Sequence, residues 1–315
     1  MTSKNLSLYL ILFQGCFMAA PFSFDFPEQI ATQQLKTQKY ITASDGTALA
    51  YYDFIPENPG RVMIFYHGGG AWSMAPYQYM AQLLLQKYGI GVYLFDIRGH
   101  ENSQGPRGDA PSSQQLLADI TTAIDYVYWT HPKSHIILGG HSSGGGLILN
   151  YSEYQQNEHV KGYVFLAPFL GPSSGTFYEH ADQSKRFVKR ARLFPLVINM
   201  ITGGFFFSHT PVIFFNYPDK ERQKDPLLLQ SYTCSMAQAT TPYNSKSLFA
   251  RLNKQFILLI GAEDEQFIPE KTIAYADYAQ QQIRKTSYVG IIQGGKHLSI
   301  MTDAIEVIGM QTQNW

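Results

Sequence analysis

Between Ser134 and Tyr151 the chain reads SHIILGGHSSGGGLILNY, and this stretch constrains the fold more than any other. His135 to Leu138 is a short apolar run of the kind buried in a sheet. Leu147 to Leu149, with Tyr151, reads as the buried side of a helix. Gly140-His141-Ser142-Ser143-Gly144, a G-x-S-x-G, lies between them. Such a pentapeptide is common on its own; a strand before it and a helix after it make it specific. A serine on a sharp strand-to-helix turn occupies strained backbone, and the flanking positions must be tiny for the turn to close. The helix N-terminus then directs its free N–H groups at the serine oxygen. Ser142 is the candidate nucleophile.

The rest of the chain predicts a mostly parallel, doubly wound α/β sheet. Gln38 to Thr42 and Leu49 to Tyr52 read as two strands joined by a turn at Asp45-Gly46. Val62 to Tyr66 is continuously apolar, as a strand covered on both faces must be. A helix is expected over Met80 to Tyr88, a strand over Gly91 to Asp96, and a helix over Ser112 to Thr130. Ser112 and Gln115 can cap that last helix, and Leu117, Ile120, Ile124 and Val127 share one face. Tyr163 to Leu166, Phe256 to Ile260 and Tyr288 to Ile292 read as further strands. Helices are expected from Glu270 to Ile283 and through Ile305 to Ile308. Strands alternating with helices give this class of sheet.

The alternation stops from residue 169 to 251. This stretch holds a basic segment, Lys185 to Arg192, an apolar one, Leu193 to Ile201, and the runs Phe205-Phe206-Phe207 and Val212 to Phe215. About eighty residues is far beyond the usual connection between elements, so 169–251 reads as a helical cap inserted between core segments 36–168 and 252–315.

An activated serine needs a base within hydrogen-bond reach and a carboxylate to orient that base. In such sheets these groups sit in loops at the C-terminal ends of strands. Gly261-Ala262-Glu263-Asp264 leaves one strand, and Gly294-Gly295-Lys296-His297 leaves the last. The order Ser142, acid, His297 is the order expected of an α/β-hydrolase. Glu263, Asp264 and Glu265 compete for the acid; Asp264, third after Gly261 and just ahead of Phe267-Ile268-Pro269, is the choice. His67, His100 and His141 read as structural, with the His141 ring expected to point away from the base. Two backbone N–H groups are needed for the oxyanion. Ser143 is expected to give one, and Gly69 in His67-Gly68-Gly69-Gly70 the other, with Gly68 as the alternative. A glycine-rich loop can also cradle phosphate, but no G-x-x-x-x-G-K-[ST] occurs. No H-E-x-x-H or paired-cysteine pattern occurs either, so no cofactor or metal is implied.

These residues resemble a family. Asp45-Gly46, His67-Gly68-Gly69-Gly70, Phe95-Asp96-Ile97-Arg98-Gly99-His100, Ser103 and Gly105-Pro106-Arg107-Gly108 are similar to the monoglyceride lipase, lysophospholipase and serine aminopeptidase-like branch of the α/β-hydrolases. Ser142, Asp264 and His297 fall where that branch has its triad. The similarity runs over roughly residues 36 to 315. Glu101 departs from it, standing where the family has glycine, and His67-Gly68-Gly69-Gly70-Ala71 leans toward the H-G-G-G lipases and esterases. The resemblance implies a serine hydrolase acting through an acyl-enzyme.

The apolar cap makes a mono-acyl lipid or other hydrophobic ester the expected substrate. The alternatives are a serine aminopeptidase, for which Glu179 and Asp182 would have to hold an amine, and a non-catalytic lipid-binding protein docking on membranes through the cap. Charged residues make up only 15% of the chain and the net charge is zero, so nothing favours nucleic acid. Lys4, the apolar run Leu6 to Phe13 and Ala19-Ala20-Pro21 describe an export signal over residues 1–20, with Gly15-Cys16 also resembling a lipoprotein cleavage site. Export is the expectation; removal of that segment would leave Cys234 with no cysteine to pair with.

Overall fold

The strand β3 (Arg61–Tyr66) is buried from Val62 to Tyr66, and its alternate side chains feed two separate cores. Val62, Ile64 and Tyr66 enter one, Met63 and Phe65 the other. A strand can be apolar on both sides only when both faces of its sheet are covered. The computed structural model describes residues 35–178 and 186–315. The expectations for residues 1–20, and for Glu179, Asp182 and Lys185, lie outside the described residues.

Around β3 run β1 (Lys39–Thr42), β2 (Ala48–Phe54), β4 (Gly91–Phe95), β5 (His135–His141) and β6 (Val160–Leu166). After the insertion, whose strands are β7 (Val188–Ala191), β8 (Pro211–Phe215) and β9 (Ser231–Thr233), come β10 (Gln255–Gly261) and β11 (Tyr288–Ile292). The main sheet has the order β1-β2-β4-β3-β5-β6-β10-β11. Its β1–β2 and β2–β4 pairs are antiparallel and the remaining pairs parallel. From β3 the chain first adds β4 on one side, then crosses back to add β5 on the other. The helix after β3, Ala75–Tyr88, packs its Tyr77, Met80 and Leu84 on the face of Met63 and Phe65. The helix after β5, Ser143–Tyr154, packs Leu147, Ile148 and Tyr151 on the opposite face. The two loops therefore part at the C-terminal ends of neighbouring strands, which opens a crevice there.

The helix Ser113–Thr130 starts as the capping pattern predicts, with Ser112 Oγ accepting from the Gln115 N–H at 3.0 Å. Leu116, rather than Leu117, takes the fully buried place in its first turn. The helix expected from Met80 begins earlier, at Ala75. Pro76 lies in its first turn, where a missing N–H costs no hydrogen bond. The helix expected over Glu270 to Ile283 is instead broken. Contiguous helical turns at Pro269–Ile273 and Ala274–Tyr278 are separated from a third, Gln281–Thr286, by extended backbone at Ala279 and Gln280. That bend lets Tyr275, Ala276 and Ala279 all reach the core.

The insertion differs most from expectation. It contains helices, among them Leu193–Ile201 and Cys234–Thr240, but also a three-stranded antiparallel sheet, β7-β8-β9. Val212 to Phe215 is rich in β-branched and aromatic residues, which favour a pleated, half-buried surface over a helix. The cap is mixed, not all helical. Val212, Leu229, Tyr232 and Met236 join the same core as Val62 and Ile64, so this sheet is packed onto the body of the molecule.

Candidate active site

Ser142 directly follows β5 with φ of 52° and ψ of −119°, a backbone conformation costly for a residue with a side chain. Hydrogen bonds hold it there. Its N–H donates to the Leu166 carbonyl at 3.0 Å, and its own carbonyl accepts from the N–H groups of Gly146 and Phe169. A Cβ at Gly140 would lie 2.4 Å from the Gly144 carbonyl oxygen. One at Gly144 would lie 2.5 Å from the carbonyl oxygens of both Tyr66 and His67. The glycines of the pentapeptide are therefore dictated by contact as well as by turn geometry.

The two loops expected to carry base and acid converge on this serine. His297 Nε2 lies 3.1 Å from Ser142 Oγ, and His297 Nδ1 lies 2.8 Å from Asp264 Oδ2. Both His297 and Asp264 are buried. The other carboxylate oxygen, Asp264 Oδ1, accepts from the N–H groups of Gln266 and Phe267, each at 2.8 Å. A carboxylate fixed in this way accepts from Nδ1–H and leaves Nε2 able to accept the serine proton. The three acidic neighbours have separate places. Glu265 Oε2 accepts the backbone N–H of His297 at 2.9 Å, and Glu263 is exposed. The structure thus brings Ser142, Asp264 and His297 together.

His141 does not point away from the base, as the sequence had suggested. Its Nε2 lies 2.9 Å from the His297 carbonyl oxygen and its ring centroid 4.9 Å from that of His297. Its Nδ1 meets the Tyr77 hydroxyl at 2.9 Å, and that hydroxyl accepts the Gly68 N–H at 2.8 Å. One proton arrangement satisfies all three contacts: Tyr77 donates to Nδ1, and Nε2–H donates to the carbonyl. Burial, together with the nearby His297, holds the His141 pKa well below the ordinary histidine value, so the ring stays neutral. Gly68 of the facing loop leaves room for the ring: a Cβ there would lie 3.2 Å from His141 Nδ1.

The loop after β3 faces the elbow. Its side opposite Tyr77 is met by Tyr232, whose hydroxyl accepts the Gly70 N–H at 2.8 Å and donates to His100 Nε2 at 2.8 Å. Tyr77, Tyr217 and Tyr232 were not evident as site residues from sequence, since Tyr232 contacts His100 across 132 positions and no local pattern links them. Ser143 opens the helix, and as its first residue has no intrahelical acceptor for its N–H. Gly69 lies against it: a Cβ there would come within 3.2 Å of Ser143 Oγ. The cleft over these groups has apolar walls, with Phe187, Tyr217 and Leu228 from the insertion and Met74, Leu298 and Met301 from the core. Among the described residues there is no group of three or more His, Cys, Asp or Glu able to hold a metal ion.

Residues 57–300 match the family model described as serine aminopeptidase, S33. The chain is 24% identical to the monoglyceride lipase of Rattus norvegicus over 46% of each chain. It is 28% identical to the monoacylglycerol lipase of Mycolicibacterium smegmatis, over 36% of this chain and 40% of the other. The chain spans less than half the length of these relatives. A soluble variant of the monoglyceride lipase of Saccharomyces cerevisiae, solved with a substrate analog, superposes with a TM-score of 0.64. That likeness covers 92% of this chain and 97% of the other at 13% identity, and shows the α/β-hydrolase fold.

Proposed function

The chain belongs to the serine aminopeptidase, S33, family, in the monoglyceride lipase-like branch of the α/β-hydrolases, and from that premise we propose that it is a serine hydrolase of carboxylic esters. The observation that carries this reading is His297, bridging Ser142 and Asp264 at 3.1 and 2.8 Å beneath an apolar cleft. Ser142 Oγ attacks the ester carbonyl while His297 Nε2 takes its proton. Asp264 holds the Nδ1–H tautomer and stabilises the imidazolium. The oxyanion is received by the N–H groups of Gly69 and Ser143, a contribution of roughly 3 kcal/mol per donor in such sites. His297 then gives the proton to the leaving alcohol, and water, deprotonated by the same ring, releases the acyl group.

The apolar lining supports a mono-acyl lipid, such as a monoacylglycerol or lysophospholipid, or another hydrophobic ester. Treatment with a fluorophosphonate, followed by mass spectrometry of the adduct, tests the mechanism. Labelling is expected at Ser142 and is expected to vanish in His297→Ala. A folded wild-type protein that takes no label would overturn this reading in favour of a binding protein on a hydrolase fold. Faster turnover of aminoacyl p-nitroanilides than of p-nitrophenyl esters would favour the aminopeptidase.

A second reading concerns where the substrate is met. Leu193, Phe194, Ile201 and Phe205 of the insertion are each at least two-thirds exposed. Lys189, Arg190 and Arg192, also exposed, lie immediately before them. An apolar tip beside basic residues supports peripheral contact with an anionic lipid surface. Among the described residues no helix is long and apolar enough to cross a membrane. Export rests on the pattern of residues 1–20 and is tested by N-terminal sequencing of the mature protein.

A further inference from the structure

Three successive glycines should make Gly68-Gly69-Gly70 the least constrained part of the site, because each can adopt many backbone conformations. Their polar groups show the opposite. The Gly68 N–H donates to the Tyr77 hydroxyl at 2.8 Å. The Gly68 carbonyl accepts from the Ala71 N–H and from His67 Nδ1, whose Nε2 in turn accepts from the Ile97 N–H. The Gly69 carbonyl accepts from the Tyr217 hydroxyl at 2.7 Å. The Gly70 N–H donates to Tyr232, and the Gly70 carbonyl accepts from the Leu229 N–H at 2.8 Å. Of the six backbone polar groups in the triplet, only the Gly69 N–H has no acceptor among the described residues. It is the group that the ester mechanism needs free.

Three of the five occupied groups are held from the insertion, by Tyr217, Leu229 and Tyr232. The Phe215 ring, also from the insertion, closes over the same triplet: a Cβ at Gly70 would lie 2.9 Å from its Cδ2. Tyr217 and Tyr232 are buried, so their hydroxyls do not exchange these bonds for water. Tyr232 is itself oriented by His100, whose Nδ1–H is directed at the carbonyls of Ile97 and Arg98. Burial holds His100 neutral, which keeps its Nε2 an acceptor for the Tyr232 proton.

We infer that Tyr217 and Tyr232 are positioning residues for ester hydrolysis: the insertion, besides covering the cleft, fixes the loop so that, of the triplet's N–H groups, only that of Gly69 joins the Ser143 N–H in facing the developing oxyanion. This rests on the proposed serine-hydrolase function. A donor aimed before the charge develops is effective because nothing has to reorganise during the reaction. A flexible glycine loop acquires that property only from outside, and here the outside is the cap. Tyr77 does the same work from the core side.

Tyr232→Phe and Tyr217→Phe keep the rings and remove only the hydroxyls. With a soluble p-nitrophenyl ester, each is expected to lower kcat about ten- to a hundredfold while KM stays within about twofold, the signature of an interaction realised in the transition state. Affinity for an alkyl trifluoromethyl ketone, which forms an oxyanion with Ser142, is expected to fall in step with kcat. Affinity for the matching alcohol, which forms none, is expected to hold. An unchanged kcat, or equal losses for ketone and alcohol, would overturn the inference and leave the tyrosines as wall residues. Should Tyr232→Phe lose its melting transition, Tyr217→Phe carries the same test through the Gly69 carbonyl. Fluorophosphonate labelling of Ser142 in the wild type separates the two claims. Without it the proposed function fails; with it, and with kcat unmoved in the variants, only the inference does.

Discussion

The β5 elbow and the insertion over residues 186–251 face the same cleft but are built on different terms. The elbow is close-packed backbone: Gly140, Gly144 and Gly145 touch carbonyl oxygens and Pro168 so closely that a single Cβ would collide with each of them. The insertion presents the four exposed residues of β7 and a helix, Leu193–Ile201, with one buried side chain, Asn199. It is attached to the body at a few places, among them Val212, Tyr217, Leu229, Tyr232 and the helix that follows them. The same difference separates a region that must hold atoms to a fraction of an ångström from one that can vary its surface so long as a few anchors stay in place.

Placing one alanine in each region gives the largest contrast. Gly144→Ala would drive a methyl to 2.5 Å from two carbonyl oxygens, and is expected to cost more than about 3 kcal/mol and abolish ester turnover. Gly203→Ala, at φ of 60° but in open space, should cost only about 1–2 kcal/mol of backbone strain and leave turnover intact. Denaturant melts of both variants measure this, and equal losses would break the comparison.

A smaller effect should come from Asp96, at the end of β4. Burial raises its pKa from the ordinary carboxylate value to about 7, against the opposing hydrogen bond from the Ser73 N–H. The folded state then binds a proton that the unfolded state has already lost between pH 4 and 7, so stability falls across that window as pH rises. Asp96→Asn should remove this dependence, gaining on the wild type as pH increases. Chemical denaturation at pH 5 and pH 8 decides it; a gap that narrowed toward pH 8 would refute the assignment.

The smallest expected effect on chemistry belongs to the exposed tip. Phe194→Ser with Phe205→Ser should change soluble-ester turnover by less than about twofold, as surface substitutions generally do. The same pair should lower co-sedimentation with phosphatidylserine vesicles, through loss of apolar insertion. Undiminished vesicle binding would remove the tip from any role at a lipid surface.

What could be read from sequence follows the same division. The elbow, the Asp264 and His297 loops and the H-G-G-G run announce themselves through short-range signals: glycines forced by close approach, and polar residues one to five positions past a strand. The mostly parallel sheet follows from alternating strands and helices, but the strand order β4-β3-β5 does not. Nothing local marks Tyr217 or Tyr232 as different from the other tyrosines of an aromatic-rich chain, because their hydroxyls act on glycines well over a hundred positions away. The strands of the insertion were missed because half-exposed β8 pairs only with two short neighbours, so the two-residue alternation has little length in which to show. Glu101 is legible only in retrospect. Its φ of 36° explains why a glycine suits that position in the family, and this chain carries the strain instead.

The ties from Tyr217, Leu229 and Tyr232 to the Gly69-Gly70 backbone also bear on how such a protein can be altered. A lid is usually treated as an exchangeable module that sets substrate range while the body sets turnover. Here, transplanting a foreign segment in place of residues 186–251 would discard the scaffolding of the oxyanion donor along with the cleft wall. Chimeras could then fold and bind ester yet turn it over slowly. Broadening the substrate range by redesign would require these three attachment points to be copied into every replacement lid, and they are the inheritance that any natural shuffling of lids would have to preserve.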